Sequence, residues 1–298
     1  MTTNVEAGEP DRTAGDWTTL VSAETLAAAL GDPQLVLVDA RAMLSDPDAG
    51  ERAWRDAHLP GARHVHLERD LSDHAKPPAH GRHPLPDADA FAHVLARLGI
   101  DTASRVVVYD AADGAMAAAR FWWLLRIAGH RAAAVLDGGF ARWQALGLPV
   151  NDAPVPDRNL PPRDLRFDED AIAGTADVAA RLGDAPGWLL DARGPERFRG
   201  DVEPLDAVAG HIPGARNRPF PMNLRDGTFK PPAELRADFE RLLEGRDPRD
   251  VVLHCGSGVT ACHDLLAMEH AGLSGARIYA ASWSGWISDR ARPVATGD

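Results

Sequence analysis

The segment HLPGAR at residues 58–63 returns later in the chain as HIPGAR at residues 211–216. Three further pairs match in the same order: LVLVDAR (35–41) with WLLDAR (188–193), VVVYD (106–110) with VVLHC (251–255), and FARW (140–143) with WSGW (283–286). Segments that recur in one order at a nearly constant spacing are the signature of a repeated structural unit. The sequence therefore predicts a duplicated domain.

Each half alternates short β-branched segments with stretches of helical character. Helices are predicted at residues 117–128 and 259–271, and each is followed by a glycine, which favours the end of a helix. Alternating strands and helices imply βαβ units around a parallel sheet. We therefore expect an α/β fold of two tandem domains, each a parallel sheet with helices on both faces. Ligands bind at the carboxyl ends of such strands, where Asp110 and Cys255 are equivalent residues.

Composition and proline content divide the chain into four segments. Residues 1–16 are predicted to be a disordered tail, and residues 17–147 to be the N-terminal domain. Residues 148–166 are rich in proline, which fixes the backbone φ angle and donates no hydrogen bond, so an extended linker is expected there. Residues 167–298 are the predicted C-terminal domain.

The overall composition excludes several classes of protein. The 298 residues are 45% hydrophobic and 26% charged, which is typical of a globular protein. A net charge of −12 disfavours a nucleic-acid-binding surface, and no apolar run is long enough to span a membrane. The N-terminus lacks the basic and apolar stretches of an export signal, and two cysteines are too few for a disulfide framework. We therefore expect a cytoplasmic protein with neither nucleic-acid nor membrane partners.

The segment CGSGVTA at residues 255–261 follows a predicted strand and enters a predicted helix. Glycines at such a turn let the backbone curl with its N–H groups facing inward, and a nest of this kind at a helix N-terminus stabilises an anion. A thiolate or persulfide on Cys255 is favoured there, which makes Cys255 the predicted nucleophile. The residues expected to form the cradle around the bound sulfur are Gly256, Gly258, Val259 and Thr260.

A buried structural thiol in an ordinary turn is the alternative interpretation of Cys255. A cysteine phosphatase is disfavoured, because its loop needs an arginine about six residues after the cysteine, and Ala261 occupies that position. Cys262 lies on the apolar face of the predicted helix, so we expect it to be structural. The alternative for Cys262 is a redox partner of Cys255.

These features together closely resemble the two-domain sulfurtransferases of the rhodanese superfamily. The resemblance rests on the tandem repeat, the two His-Leu/Ile-Pro-Gly-Ala segments and the CGSGVTA loop, and it extends over nearly the whole chain. It implies that the N-terminal domain is catalytically silent, with Asp110 at the position that corresponds to Cys255. The pair Gly256-Ser257 resembles the 3-mercaptopyruvate type, whereas a basic pair after the cysteine is typical of the thiosulfate type.

The resemblance implies transfer of sulfane sulfur from 3-mercaptopyruvate to Cys255 and then to an acceptor. The acceptor is expected to be a thiol, such as thioredoxin or a small thiol, or cyanide. Neither a metal nor an organic cofactor is implied. Two alternatives stay open, namely thiosulfate as the donor, and a non-enzymatic persulfide carrier or protein-binding module with the same fold.

The resemblance also assigns a side chain that contacts the donor. Arg197, in the segment RFRG at residues 197–200, matches the arginine that orients the carboxylate of the donor. The family often has a second arginine in a Glu-Pro-x-Arg context, but this chain has Asp206 at that position. We therefore expect the carboxylate to be bound more weakly, or by a different group.

A hydroxyl relay is a further feature that the resemblance implies. His58 is similar to a first-domain histidine that reaches the serine of the loop, here Ser257, so that the serine can donate to the carbonyl oxygen of the donor. A structural role for His58 is the alternative, because His211 occupies the same segment of the other half. An aspartate upstream of the histidine is expected in the relay, and Asp48 is the nearest candidate.

Two other segments carry weaker signals. His74, His80 and His83 lie in a proline-rich loop, but their irregular spacing and the lack of a nearby cysteine argue against a metal site. Ala280-Ala281 replaces the Asp-Gly pair that the family has before its tryptophan, whereas the first half retains Asp-Gly at residues 137–138. This difference is expected to alter either the pocket wall or the acceptor surface.

Overall fold

The computed structural model describes residues 17–298, so the tail expected at residues 1–16 lies outside the described residues. Within residues 17–298, the two halves of the chain each form a five-stranded sheet in which every neighbouring pair of strands is parallel. Helices connect the strands, and none of the described helices is both long and apolar enough to cross a membrane. The predicted α/β fold of two tandem parallel-sheet domains is confirmed.

The first sheet belongs to the N-terminal half. Its strands are β1 (Leu20–Val21), β2 (Leu35–Asp39), β3 (Arg63–His64), β4 (Arg105–Tyr109) and β5 (Ala133–Leu136). They lie side by side in the order β1-β5-β4-β2-β3. The helices of this half are α1 (Ala23–Ala28), α2 (Ala49–Asp56), α3 (Leu67–Asp70), α4 (Ala88–Leu98), α5 (Ala118–Ile127) and α6 (Gly139–Ala145).

The C-terminal half repeats this topology. Its strands are β6 (Ile172–Ala173), β7 (Leu189–Asp191), β8 (Arg216–Asn217), β9 (Leu224–Arg225), β10 (Thr228–Phe229), β11 (Val252–His254) and β12 (Arg277–Tyr279). β9 and β10 form a separate antiparallel hairpin, and the other five lie in the order β6-β12-β11-β7-β8. The helices are α7 (Thr175–Ala180), α8 (Pro195–Arg199), α9 (Pro232–Leu243), α10 (Ala261–His270) and α11 (Ser282–Trp286). The two five-stranded sheets correspond strand by strand, as a duplication requires.

The two helices predicted from glycine-terminated patterns are α5 and α10. Gly129 and Gly272 follow them with φ angles of 77° and 74°, the left-handed conformation in which a glycine commonly ends a helix. Both helices connect two neighbouring strands of their own sheet, β4 with β5 and β11 with β12. The residues that precede them therefore lie at the carboxyl ends of equivalent strands.

α5 is buried on nearly every side because it lies between the two halves. Its residues 118–125 are all buried, and the helix packs against α10 of the other half. One cluster of buried apolar side chains includes Val108 of the first sheet, Trp123 of α5 and Leu266 of α10. Close packing of this kind leaves little freedom for relative movement, so the shared core determines which loops of the two halves meet.

The proline-rich residues 148–166 contain neither a helix nor a strand, apart from an isolated bridge between Asn151 and His58. The segment runs along the N-terminal half, where the backbone N–H groups of Arg158 and Leu160 donate to carbonyls of α4. We therefore propose that residues 148–166 are the linker between an N-terminal domain at residues 17–147 and a C-terminal domain at residues 167–298.

Candidate active site

Cys255 lies immediately after β11, at the carboxyl end of the second sheet, and only 1% of its surface is exposed. Its backbone N–H donates to the hydroxyl of Ser282 (3.1 Å), and its carbonyl accepts the N–H of Trp283 (3.0 Å). In the other half, the carbonyl of Asp110 accepts the N–H of Phe140 (2.9 Å) in the same way. Cys255 and Asp110 therefore occupy equivalent strand ends, each bonded to the helix that follows the last strand.

The loop after Asp110 shows how this position of the fold holds a negative charge. The Asp110 carboxylate accepts the backbone N–H groups of Ala112 (3.2 Å), Gly114 (2.9 Å) and Met116 (3.1 Å). Burial raises the pKa of Asp110 to about 6, and the three N–H groups oppose that rise because they stabilise the ionised form. The loop is therefore a backbone nest that surrounds an anion.

The corresponding loop of the C-terminal half has its backbone donors free for a sulfur anion. Within residues 17–298, no protein atom accepts the backbone N–H of any of residues 256–260, and α10 begins directly after them. A thiolate or persulfide on Cys255 is the anion that these donors and the helix N-terminus are placed to stabilise. The binding of sulfur by this cradle stays a prediction, which the comparison with Asp110 supports. The predicted cradle residues Gly256, Gly258 and Val259 are buried, and Thr260 is half-buried.

Gly258 must be a glycine for two independent reasons. Its φ angle is 75°, a backbone conformation that residues other than glycine rarely adopt. A Cβ at this position would also lie 2.3 Å from the carbonyl oxygen of Ala280. Ala280 belongs to the Ala280-Ala281 pair that differs from the family pattern, and its backbone lies directly against Gly258 of the cysteine loop.

Gly258→Ala is expected to destabilise the protein by more than the backbone angle alone explains. A left-handed backbone costs a non-glycine residue about 1–2 kcal/mol, and the collision with Ala280 adds to that cost. Gly227 is the matched control, because its φ angle is 79° but an added Cβ would meet nothing within 4 Å. Urea unfolding of Gly258→Ala and Gly227→Ala measures the difference, and equal losses would show that the Ala280 contact is unimportant.

Ser257 is hydrogen-bonded to a histidine of the N-terminal half. Its hydroxyl oxygen lies 2.7 Å from Nδ1 of His83, and Nε2 of the same ring lies 3.1 Å from Oε1 of Glu68. Only 2% of His83 and 5% of Ser257 is exposed, so bulk water does not reach this pair. The other oxygen of Glu68 lies 2.7 Å from Nε2 of the exposed His74. We call Ser257, His83 and Glu68 the relay.

The charges of the relay decide where its protons lie. The hydrogen bond from His83 is the main reason that the pKa of Glu68 falls to about 2, so this carboxylate is ionised and can only accept. Nε2 of His83 must therefore carry a proton and donate it. Burial lowers the pKa of His83 below 6.5, so its ring is neutral at pH 7 and Nδ1 accepts the hydroxyl proton of Ser257. The relay has the Ser–His–carboxylate order of a general acid–base system.

The structure does not bring His58 to Ser257, whose hydroxyl is bonded to His83 instead. His58 is buried in its own half, where Nδ1 lies 2.7 Å from the carbonyl oxygen of Trp54 and the ring stacks on the Trp54 indole. His211 is held in the same way in the other half, with Nδ1 2.8 Å from the carbonyl oxygen of Phe198. This histidine therefore stabilises a turn that the fold contains twice.

The acidic member of the relay also differs from the expectation. Asp48 is not bonded to His83, and its carboxylate accepts a hydrogen bond from Arg69 (3.1 Å). Glu68 lies in α3, closer along the chain to His83. The sequence offers one signal for these residues, the density of histidines in the proline-rich loop. Nothing in their spacing shows which histidine contacts the other half.

Arg120 on α5 joins the loops of the two halves. Its side chain is fully buried and donates to the carbonyl oxygens of Gly258 (2.8 Å), His83 (3.1 Å) and Leu71 (3.3 Å). A buried guanidinium needs such acceptors, because it has lost its contacts with water. Gly258 belongs to the cysteine loop and His83 to the N-terminal half, so Arg120 fixes the position of His83 relative to Ser257.

Two guanidinium groups, those of Arg82 and Arg197, lie beside Gly256, within 3.2 Å and 3.4 Å of the position of an added Cβ. Arg197 of α8 places Nη2 2.8 Å from Oε1 of Glu203 and 3.1 Å from Oδ2 of Asp206. Arg82, from a loop of the N-terminal half, places Nη1 2.5 Å from Oδ1 of the same Asp206. Arg197 thus lies at the cysteine loop, and Arg82 is a second arginine there that no local motif indicates.

Cys262 is a buried thiol behind the loop. Its Sγ donates to the carbonyl oxygen of Gly258 (3.4 Å), and its side chain lies in the core cluster that joins the halves. Burial raises the pKa of Cys262 to about 12, so the thiol is protonated at pH 7. A protonated and inaccessible thiol is a poor partner for redox chemistry, which favours the structural interpretation of Cys262.

Comparisons with known proteins agree on one family. The family model for the rhodanese-like domain matches residues 22–146 and 175–289 of this chain. A Pseudomonas aeruginosa protein named "probable 3-mercaptopyruvate sulfurtransferase" is 47% identical over 283 residues, which are 94% of this chain and 98% of that protein. The human 3-mercaptopyruvate sulfurtransferase is 38% identical over 92% of this chain and 93% of its own length. A Mycobacterium tuberculosis relative is 42% identical over 93% of this chain and 97% of its own length, and its name is "putative thiosulfate sulfurtransferase SseB".

Solved structures give the same result for the fold. A 3-mercaptopyruvate sulfurtransferase from Leishmania major superposes with a TM-score of 0.78 at 28% identity, over 92% of this chain and 75% of that one. The SseA protein of Escherichia coli superposes with a TM-score of 0.75 at 32% identity, over 89% of this chain and 99% of that one. Both similarities extend over the two halves of the chain.

Proposed function

The chain belongs to the family of rhodanese-like domains, and from this premise we propose that it is a sulfurtransferase whose donor is 3-mercaptopyruvate. Sulfur is carried as a persulfide on Cys255 and passed to a thiol or to cyanide. The observation that carries the choice of donor is the relay from Ser257 through His83 to Glu68. An α-keto donor requires a proton to move when its carbon–sulfur bond breaks, whereas thiosulfate requires none. A proton relay at the nucleophile is therefore useful for the first donor only.

In the first half-reaction, the thiolate of Cys255 attacks the sulfur of 3-mercaptopyruvate. A sulfur–sulfur bond forms as the carbon–sulfur bond breaks, and the electron pair of the broken bond stays on the enolate of pyruvate. The proton of the donor thiol moves to the enolate carbon, so that pyruvate leaves and a persulfide anion remains. Neutral His83, acting through the hydroxyl of Ser257, is placed to take up this proton and return it. The N–H groups of residues 256–260 stabilise the thiolate and then the persulfide.

In the second half-reaction, an acceptor thiolate attacks the outer sulfur of the persulfide. The sulfur–sulfur bond breaks, the Cys255 thiolate leaves, and the acceptor departs as a persulfide; cyanide departs as thiocyanate. The cycle restores Cys255 without any net gain or loss of electrons. We propose that the physiological acceptor is a thiol, such as thioredoxin or a small thiol. Both cysteines of the chain are free thiols, which suits the reducing cytoplasm as the proposed location.

The experiment that tests the function compares two donors on the purified protein. Pyruvate release from 3-mercaptopyruvate and thiocyanate formation from thiosulfate and cyanide give kcat/KM for each donor. We expect kcat/KM to be at least about tenfold higher for 3-mercaptopyruvate, a difference of about 1.4 kcal/mol in transition-state binding. A preference for thiosulfate would identify the alternative donor. A folded protein that turns over neither donor would instead be a persulfide carrier or a binding module.

The relay also predicts a pH dependence with a defined sign. Activity needs neutral His83, so kcat should fall as the pH drops through the lowered pKa of this residue. Glu68 raises the pKa of His83, and burial outweighs that effect. Glu68→Gln removes the opposing charge, so the acid limb of the kcat–pH profile should move to lower pH. The surface variant Glu244→Gln is the control and should leave the profile unchanged. An acid limb that stays in place, or moves to higher pH, would exclude His83 as the titrating group.

A further inference from the structure

The two arginines at Gly256 come from different halves of the chain. Arg82 follows a short 3-10 helix at Pro78–His80 in the N-terminal half, whereas Arg197 belongs to α8 of the C-terminal half. A Cβ built on Gly256 would lie 3.2 Å from Nη2 of Arg82 and 3.4 Å from Nη2 of Arg197. Both guanidinium groups therefore reach the residue that directly follows Cys255.

The loop that carries Arg82 is fixed tightly to the C-terminal half. The backbone N–H of Arg82 donates to the hydroxyl of Ser284 (2.9 Å). The preceding Gly81 has a φ angle of 87°, and a Cβ there would lie 2.4 Å from the carbonyl oxygen of Ala281. The following residue, His83, is bonded to Ser257. One loop of the N-terminal half thus places the guanidinium of Arg82 and the imidazole of His83 beside the cysteine loop.

Asp206 is the carboxylate that both arginines now contact. Its Oδ1 lies 2.5 Å from Nη1 of Arg82 and its Oδ2 lies 3.1 Å from Nη2 of Arg197, and only 5% of its side chain is exposed. Burial is the main cause that raises the pKa of Asp206, so the ionised carboxylate is held at a cost in desolvation. Glu203 already binds Arg197 through Nε and Nη2. Asp206 is therefore the group whose place another carboxylate can take without leaving Arg197 unpaired.

We propose that Arg82 is a donor-binding residue, which binds the carboxylate of the donor together with Arg197 after that carboxylate has replaced Asp206. This inference rests on the proposed function, because it assumes an α-keto acid donor. The three groups of such a donor each have a partner in the site: Cys255 for the sulfur, Ser257 for the keto oxygen, and the arginine pair at Gly256 for the carboxylate. The position of Asp206 in the sequence is where an arginine is expected, and Arg82 supplies the positive charge from the other half.

The proposal is tested with two donors that differ in one charged group. Mercaptoacetone has the sulfur and the ketone of 3-mercaptopyruvate but no carboxylate. Arg82→Met should raise KM for 3-mercaptopyruvate by between about tenfold and a hundredfold, the usual loss for a hydrogen bond to a charged group, and should change kcat less. The kcat/KM for mercaptoacetone should stay within about twofold of the wild type. Arg82→Lys keeps the charge and should recover part of the loss.

A matched control removes a positive charge close to the site without touching Gly256. Arg199 lies two residues from Arg197 and pairs with Asp201 on the surface (2.9 Å), so Arg199→Met should leave both donors unaffected. Asp206→Asn should lower KM for 3-mercaptopyruvate severalfold, because the competing carboxylate is removed while the arginines remain. Thermal unfolding of each variant shows whether the fold is kept.

The results separate a failure of this inference from a failure of the function. If Arg82→Met loses activity equally with both donors, or keeps a normal KM for 3-mercaptopyruvate, Arg82 does not bind the donor carboxylate. If Asp206→Asn raises this KM, Asp206 is not the group that the donor replaces. A wild-type protein that does not turn over 3-mercaptopyruvate would contradict the proposed function itself, whatever the variants do.

Discussion

Cys255→Ser is expected to abolish sulfur transfer while leaving the fold intact. A hydroxyl is a far poorer nucleophile than a thiolate and cannot hold sulfur as a persulfide, so kcat should fall by at least about a thousandfold. The substitution removes no packing volume of consequence, and the backbone bonds of Cys255 to Ser282 and Trp283 do not involve the sulfur. Pyruvate release measures the loss of turnover, and mass spectrometry after incubation with donor alone measures the loss of the persulfide.

Cys262→Ser is the matched control for this experiment. The Cys262 thiol is protonated at pH 7 and donates to the carbonyl of Gly258, a bond that a serine hydroxyl can also make. Most of the activity should therefore remain. A Cys262→Ser protein that is folded but inactive would contradict the single-cysteine mechanism.

Ser257→Ala and His83→Gln should each lower kcat with 3-mercaptopyruvate by about a hundredfold or more. Positioned general acid–base groups commonly contribute about 10²–10⁴ to a rate, and both changes interrupt the same proton path. Because the two side chains act as one unit, the double variant should be no slower than the slower single variant. Turnover of thiosulfate, which involves no proton transfer at carbon, should fall much less. The ratio of the two donors is therefore the quantity to measure.

His58→Gln provides the comparison for His83→Gln. Both histidines are buried, but His58 bonds to the carbonyl of Trp54 rather than to Ser257. The His58 variant should lose stability and keep its kcat for 3-mercaptopyruvate. A larger fall in kcat for the His58 variant than for the His83 variant would reverse the assignment of the relay.

The features that could be predicted from the sequence are those encoded in contiguous residues. The matching segments in the two halves predict a duplication, and the alternation of β-branched and helical segments predicts parallel sheets; both are present. The cysteine loop belongs to the same class. Its glycines, its strand and its helix follow one another in the chain, so local backbone geometry places Cys255 at a strand end.

The features that could not be predicted depend on contacts between residues far apart in the chain. The resemblance implies a contact between His58 and Ser257, yet His83 occupies that place because its loop crosses to the other half of the chain. Arg82 gives no local signal at all. Its partners Asp206 and Gly256 lie in the other half, and no spacing within a motif relates them.

The sequence by itself therefore determined the fold class and the duplication, and it led to the prediction of Cys255 as the nucleophile, because each depends on short-range geometry and on the order of residues. Only the tertiary structure decided which histidine contacts Ser257 and which second arginine lies beside Gly256. The physical reason is the packing of α5 against α10, which sets the two halves in one relative position. Arg120 then links the His83 loop to Gly258 through carbonyl groups of both halves. Such contacts depend on how two cores fit together, which no local pattern of residues records.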